Sequence, residues 1–199
     1  MFRLLIATHN KGKMNEIRAL LSDLPVELVS PEDVAAFLRV EEDGNTYVEN
    51  ATKKAVAYAD ASGLVSLADD SGLEVEALGG APGLRSARYI PGADATDADR
   101  RAQLVKNLEG RRRPWIARFR AAVAIATPRD GVQWAEGACA GEIIPEERGT
   151  GGFGYDRIFL VEDTGRTMAE LEMAEKNRLS HRARAIMNAR TILAEFTHG

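Results

Sequence analysis

Eight residues in the last third of the chain, Gly149-Thr150-Gly151-Gly152-Phe153-Gly154-Tyr155-Asp156, put an aromatic ring and a carboxylate among four glycines. Without a Cβ, a glycine lets the backbone approach a ligand closely. Phe153 offers a stacking face there, and Asp156 a hydrogen-bond acceptor. The spacing Gly149-x-Gly151-x-x-Gly154 also fits the dinucleotide fingerprint, which requires a preceding strand and a succeeding helix. The stretch Tyr155 to Val161, however, is aromatic and β-branched, which predicts a strand. The dinucleotide reading therefore fails, and the loop needs another occupant.

Three further constellations could carry chemistry. Thr8-His9-Asn10-Lys11-Gly12-Lys13 comes after an apolar run and precedes a helical pattern. Exposed N–H groups at a helix start favour an anion, and two lysines add charge, so the loop reads either as a phosphate site or as a polar turn with solvated lysines. It is not a P-loop, because Gly-x-x-x-x-Gly-Lys-Ser/Thr is absent. The acids Glu41, Glu42, Asp69 and Asp70 suit a hard cation such as Mg²⁺, which takes a few carboxylate oxygens and keeps waters for substrate phosphates. Asp69 and Asp70 stand equally well for a turn whose acids cap backbone amides. As successive strand residues they would point to opposite faces, so one of the two enters a given site. In Glu175 to Arg182, Ser180 predicts a helix N-cap. His181 and Arg182 then place positive charge against the helix dipole, a conflict that a bound anion or carbonyl would resolve; a basic exposed helix end is the alternative.

Other residues point to structure. His9 and His198 have no metal-ligand spacing with each other or with His181. Arg111 to Arg113 read as a solvated basic turn, and Ser71 lacks the Gly-x-Ser-x-Gly elbow of a nucleophile. The single cysteine, Cys139, excludes an internal disulfide framework and a Cys-cluster metal site; it reads as a small buried apolar residue.

The elements that must position these groups can be read from periodicity. Phe2 to Ala7 predicts a buried parallel strand, and Met14, Ile17, Leu20, Leu21 and Leu24 a helix stopped by Pro25. Val26 to Ser30 is a short strand. A helix spans about Thr46 to Ala61 with Gly63 as its C-cap signal. Leu64 to Ala68 predicts a strand that Asp69-Asp70-Ser71-Gly72 breaks before Leu73 to Leu78 resumes. Thr96-x-x-Asp99 opens a helix through Leu108. Trp115 to Thr127 and Val132 to Ile144, around the turn Pro128-Arg129-Asp130-Gly131, predict a long hairpin. A short helix around Thr167 to Lys176 and a longer one from Ser180, with Ile186, Ala189, Leu193 and Phe196 inward, end the chain. The fold class is α/β: a mixed sheet flanked by helices, in one domain over 1–199. A hydrophobic fraction of 45% at 199 residues allows a sizeable core. Net charge of −4 argues against a nucleic-acid binder. No run of about 18 apolar residues exists to span a membrane, and the cytoplasm is the expected compartment.

In their order, Thr8 to Lys13, Ala68 to Leu73, Gly149 to Asp156 and Ser180 to Arg182 resemble the inosine triphosphate pyrophosphatase family, the Ham1-like proteins. Gly79 to Gly83 with Ser86 to Tyr89, and Glu49-Asn50-Ala51-x-x-Lys54-Ala55, extend the resemblance over essentially the whole chain. It implies an elongated two-lobed fold with the site in a cleft, a homodimer, and Mg²⁺-dependent hydrolysis of ITP, dITP and XTP to the monophosphate and pyrophosphate. It implies Asp70 as general base and metal ligand, and Glu41 as the other metal carboxylate with its register open by one residue. Thr8, His9, Asn10, Lys11, Gly12, Lys13 and Lys54 match phosphate-binding positions, and Ser71 a substrate contact. Phe153, Gly154, Tyr155, Asp156, Lys176, His181 and Arg182 match nucleoside-binding positions. His9 stands where many members have Gly, and Arg157 where Pro is usual. A pyrophosphatase for other modified or pyrimidine triphosphates, and a nucleotide sensor without turnover, are the rival readings.

Overall fold

The computed structural model describes residues 2–36, 38–92, 94–129 and 131–197; Met1, Asp130 and His198 lie outside the described residues. Among those described, six strands form one sheet in the order β2-β1-β3-β4-β5-β6. The strands are β1 (Phe2–Ile6), β2 (Val26–Val29), β3 (Val65–Val75), β4 (Trp115–Thr127), β5 (Gly131–Ile143) and β6 (Phe159–Val161). The helices are α1 (Lys11–Leu20), α2 (Tyr47–Ser62), α3 (Asp97–Leu108), α4 (Met173–Leu179) and α5 (His181–Thr197). β1 runs parallel to β2, with Leu5 opposite Val29, and parallel to β3, with Ile6 opposite Leu67. β6 is antiparallel to β5, with Phe159 opposite Ile143. The sheet is thus mixed, and α1 and α2 make the crossovers that parallel neighbours require.

Local chemistry explains most of the helix boundaries. Thr46 caps α2 by accepting the Glu49 N–H, and Gly63 closes it in the left-handed conformation at φ 69°. Thr96 and Asp99 form a reciprocal capping box at the start of α3.

The chain divides into two compact units. Unit one comprises Met1–Asp70, Ala121–Gly137 and His181–Gly199. Its core packs Leu4 and Ile6 of β1, Ile17 and Leu21, Leu67, Val123 and Ile125 with Ile186, Ala189 and Leu193 of α5. Phe196 packs against it partly buried, so the inner face expected for α5 is the one observed. Unit two comprises Ser71–Arg120 and Ala138–Ser180. Its core joins Leu73 and Val75, Leu104 and Leu108 of α3, Trp115 and Phe119 with Tyr155, Ile158 and Phe159. The rings of Phe119 and Phe159 meet at 4.6 Å between centroids.

Four expectations need correction. Asp69-Asp70-Ser71-Gly72 does not break β3, which runs without interruption from Val65 to Val75. The partners that let two acids sit in a buried strand come from α1, α2 and α5, out of view of any local pattern. Beyond Val75 the strand gives way to a 3₁₀ turn at Glu76–Leu78. The strand expected from Tyr155 begins only at Phe159, because Asp156 N–H and Ile158 N–H bond back to the carbonyls of Phe153 and Tyr155. The short helix placed at 167–176 is a 3₁₀ turn, Met168–Glu170, succeeded by α4.

Candidate active site

Unit one gathers the phosphate-type loop and the acids. Ala7 N–H is tied to Leu67 C=O at 2.8 Å, which holds the end of β1 to β3. Thr8 Oγ accepts the Asn10 N–H, and Asn10 Oδ1 accepts the Lys13 N–H at 3.0 Å as the N-cap of α1. Lys11 is exposed and Gly12 half-buried in the first turn, which carries no acid. That helix start is therefore uniformly positive, an arrangement that favours an anion. The His9 ring turns away along the surface, its Nε2 2.8 Å from the Tyr58 hydroxyl and its Nδ1 3.3 Å from Glu32.

Below this loop lies a buried charge cluster. Lys13 Nζ stands 3.3 Å from Asp69 Oδ2, and Arg182 Nε donates to the same oxygen at 3.0 Å. Arg182 Nη1 also donates to Glu16 in a short bond. Asn50 and Lys54 lie one turn apart, on the same face of α2. Asn50 donates to Asp70 Oδ2 at 2.9 Å, while Lys54 Nζ reaches the Asp69 carbonyl at 2.6 Å and Glu42 Oε1 at 2.5 Å. Gly44 N–H in turn donates to Asn50 Oδ1, which orients that amide.

Two adjacent carboxylates thereby acquire opposite proton affinities. Burial alone would raise Asp69, yet the charges of Lys13, Arg182 and Lys54 overcome it and hold the group well below the usual carboxylate range. For Asp70 burial prevails, aided by the negative charge of Glu42 and resisted by Lys54, Lys13 and the Asn50 hydrogen bond, so its pKa is raised. Burial lowers the Lys13 pKa despite Asp69. Lys54 is buried too, but Asp69, Glu42 and Asp70 outweigh that and raise its pKa. Neighbouring titratable groups pushed apart in this way occur both at acid–base sites and in buried ion-pair networks.

Glu42, rather than Glu41, is the acid that faces this cluster; Glu41 is exposed. Three cations (Lys13, Lys54, Arg182) meet four carboxylates (Glu16, Glu42, Asp69, Asp70), an excess of one negative charge when all are ionised. No group of three His, Cys, Asp or Glu side chains that could hold a metal occurs among the described residues. The pair Glu42 and Asp70 suits a cation that keeps waters and shares phosphate oxygens, which is the habit of Mg²⁺.

At the start of α5, Arg182 does not face outward. Its side chain is 1% exposed and its fork serves Asp69 and Glu16, so it orders the acid cluster. His181 is buried beside it. Gly137 of β5 admits this first turn: a Cβ there would stand 2.3 Å from the His181 carbonyl and the Ala185 nitrogen.

Unit two builds the glycine loop. Asp156 Oδ2 accepts the Phe153 N–H at 3.0 Å and the Lys176 ammonium at 2.6 Å, and that ammonium lies 5.4 Å from the Phe153 ring centre. Gly152 is required twice over, by its φ of 69° and because a Cβ would stand 2.0 Å from Asp156 Oδ2. Phe153 and Gly154 are half-buried, as is Ser71 on β3. Tyr155 is 4% exposed, within the core, and its hydroxyl donates to Ser86 C=O at 2.9 Å. It braces the loop from below. A cavity of about 540 Å³ lined by Glu74, Glu76, Ile116 and Arg118 shares no residue with either cluster.

Sequence reasoning missed Glu16, Asp97, Arg101 and Glu147, and gave Asn50 no role of its own. Asn50, four residues before Lys54 on α2, and Asp97 with Arg101, four residues apart on α3, carried a periodic signal.

With this geometry in view, a family model described as "Ham1 family" matches residues 4–192. The chain belongs to the Ham1 family. It is 47% identical over 192 residues to a dITP/XTP pyrophosphatase of Desulforamulus reducens, covering 96% of this chain and 95% of the relative. It is 49% identical over 189 residues to a dITP/XTP pyrophosphatase of Geobacter sulfurreducens, covering 94% of each. The solved structure of a HAM1 protein from Coxiella burnetii superimposes with a TM-score of 0.88 at 40% identity, covering 98% of this chain and all of that one. The mixed α/β sheet flanked by helices is thus the fold of a Ham1 structure. No helix among the described residues is long and apolar enough to cross a membrane.

Proposed function

We propose that this chain is a Mg²⁺-dependent pyrophosphatase that converts deaminated purine nucleoside triphosphates (ITP, dITP, XTP) to the monophosphate and pyrophosphate. The observation that carries the reading is the pair on β3: Asp69 engaged by Lys13 at 3.3 Å and Arg182 at 3.0 Å, and Asp70 beside it, aimed by the Asn50 amide at 2.9 Å. The relatives named dITP/XTP pyrophosphatase support the substrate class.

In this reading water attacks the α-phosphorus and pyrophosphate leaves. Asp70 accepts the proton of the attacking water, Lys13 and Arg182 being engaged with the other carboxylate of the pair, Asp69. Asn50 fixes the carboxylate through the 2.9 Å bond to Oδ2. Lys13, Lys54 and the N–H groups at the start of α1, next to Thr8, Asn10, Lys11 and Gly12, neutralise the charge that develops on the phosphates. Glu42 and Asp70 would hold Mg²⁺, which supplies charge neutralisation and alignment of the leaving group. Asp69 and Arg182 stay out of the chemistry and keep Lys13 in place.

Base selectivity rests on hydrogen bonds. Hypoxanthine and xanthine present an acceptor at O6 where adenine presents an amino donor. With Arg182 engaged by two carboxylates, the donor to O6 falls to His181, at the start of α5. Phe153 takes the ring face, with Lys176 and Asp156 fixing its loop. A homodimer in the cytoplasm completes the proposal, and sedimentation velocity tests the assembly.

The deciding experiment is pyrophosphate release from ITP, dITP, XTP, dUTP, ATP and GTP, with Mg²⁺ and with chelator. Inosine and xanthosine substrates should exceed ATP in kcat/KM by about 100-fold or more, as expected where a mismatched base leaves a polar group unpaired. Activity that survives chelation, or equal rates with ATP, would refute the reading.

A further inference from the structure

The glycine loop is fastened to α3 by both backbone groups of one residue. Gly154 N–H donates to Asp97 Oδ2 at 2.7 Å, and Gly154 C=O accepts from Arg101 Nη1 at 2.7 Å. Arg101 is 6% exposed, and the rest of its fork grips Glu147, Nε to Oε1 at 2.7 Å and Nη2 to Oε2 at 3.1 Å. Glu147 stands at the entrance of the loop and Gly154 within it, so one guanidinium ties the entrance to the segment that carries Phe153. A backbone bond from Arg148 N–H to Arg157 C=O, at 2.9 Å, closes the neck. Arg157 Nη1 lies 3.6 Å from Glu147 Oε2, so the residue found where proline is usual joins the same carboxylate.

We infer that Arg101, with Asp97 and Glu147, is a positioning residue for purine recognition: it sets the place of Phe153, and through it the affinity and selectivity for the base, without touching the phosphates. The inference rests on the nucleotide reading above. The next residue along from Gly154 is the buried Tyr155, and the one before is Phe153, whose N–H and ring are held by Asp156 and Lys176. Freeing Gly154 therefore leaves Phe153 fixed on one side only. A bidentate fork that also reaches a carbonyl is a geometry that lysine cannot reproduce.

The test compares Arg101→Met and Arg101→Lys with the unaltered protein. Amide hydrogen exchange over residues 149–156 is measured without nucleotide, IMP binding by calorimetry, and ITP turnover at saturating Mg²⁺. In Arg101→Met exchange should quicken in this segment but not in β1 or α1. KM for ITP and Kd for IMP should rise about ten-fold, the weight of one charged hydrogen bond, with kcat within about two-fold. Arg101→Lys, which keeps charge and helix propensity, should fall between. Unchanged KM and Kd overturn the inference whatever the exchange does, as does a loss confined to kcat. Unaltered protein that neither binds IMP nor cleaves ITP would sink the nucleotide reading itself, even if exchange showed the clasp to hold the loop.

Discussion

In unit one, Asp69 is fully buried and faces Lys13 and Arg182, whose own side chains are 15% and 1% exposed. In unit two, Glu147 is 40% exposed and faces Arg101 and Arg157 at a loop neck. The first cluster centres on two almost fully buried groups, Asp69 and Arg182, so each of its charges depends on the others and any one removed leaves the rest uncompensated. The second lets water share the load, and what it fixes is the course of a backbone. In the proposed reading, one region tunes protonation and field for phosphate chemistry, while the other sets the position of an aromatic ring. The ion pairs look alike on paper, yet burial decides which of them is electrostatics and which is scaffolding.

That contrast can be broken at several points. The largest effect should come from Asp70→Asn, which removes the base while keeping the shape and a hydrogen-bonding partner for Asn50. A kcat loss of about 100-fold or more, with a smaller change in nucleotide affinity, is the expected result, in line with general-base contributions of 10²–10⁴. Near-normal turnover would remove Asp70 from the mechanism. Next, Asp69→Asn should cost about 3–5 kcal/mol in urea unfolding, because Lys13 and Arg182 lose their buried counter-charge. A change under about 1 kcal/mol, the figure for surface pairs, would erase the distinction between the two clusters.

A third comparison separates neighbouring acids. Glu42→Gln should raise the Mg²⁺ concentration for half-maximal activity several-fold, while Glu41→Gln leaves it unchanged; titration of activity against Mg²⁺ reads both. The reverse order would restore Glu41 as the ligand. The smallest effect concerns Glu147, whose pKa is lowered first by the Arg101 hydrogen bond. Below the usual glutamate value of about 4.3 the unfolded chain binds the more protons, so this contribution is complete above that pH and fades as pH falls through the folded value. Glu147→Gln should therefore make the loss of stability on acidification below about pH 4.3 shallower. An unaltered acid limb in unfolding curves would show that the pair adds nothing to folding.

Much of the fold was legible from side-chain pattern. The β1 run, the hairpin of β4 and β5, the Gly63 and Thr96 caps and the inner face of α5 are local or periodic features, and those elements stand where the spacing put them. Asp69-Asp70 read as a break because nothing within several residues could neutralise two acids in a strand. Lys13, Lys54 and Arg182, which do so, lie between 15 and 113 residues away.

The residue types themselves thus determined that this chain carries a lysine-bearing loop at a helix start, paired acids, a glycine loop with an aromatic ring, and the Ham1 signature that joins them. Tertiary structure alone decided how those groups divide the labour. It turned Arg182 inward to serve Asp69 and Glu16, sent Tyr155 into the core, paired Glu42 with Lys54 while leaving Glu41 exposed, and brought Arg101 of α3 onto Gly154. The physical reason is that a motif fixes which groups are present, while their protonation and orientation depend on burial and on charges brought in from distant parts of the chain.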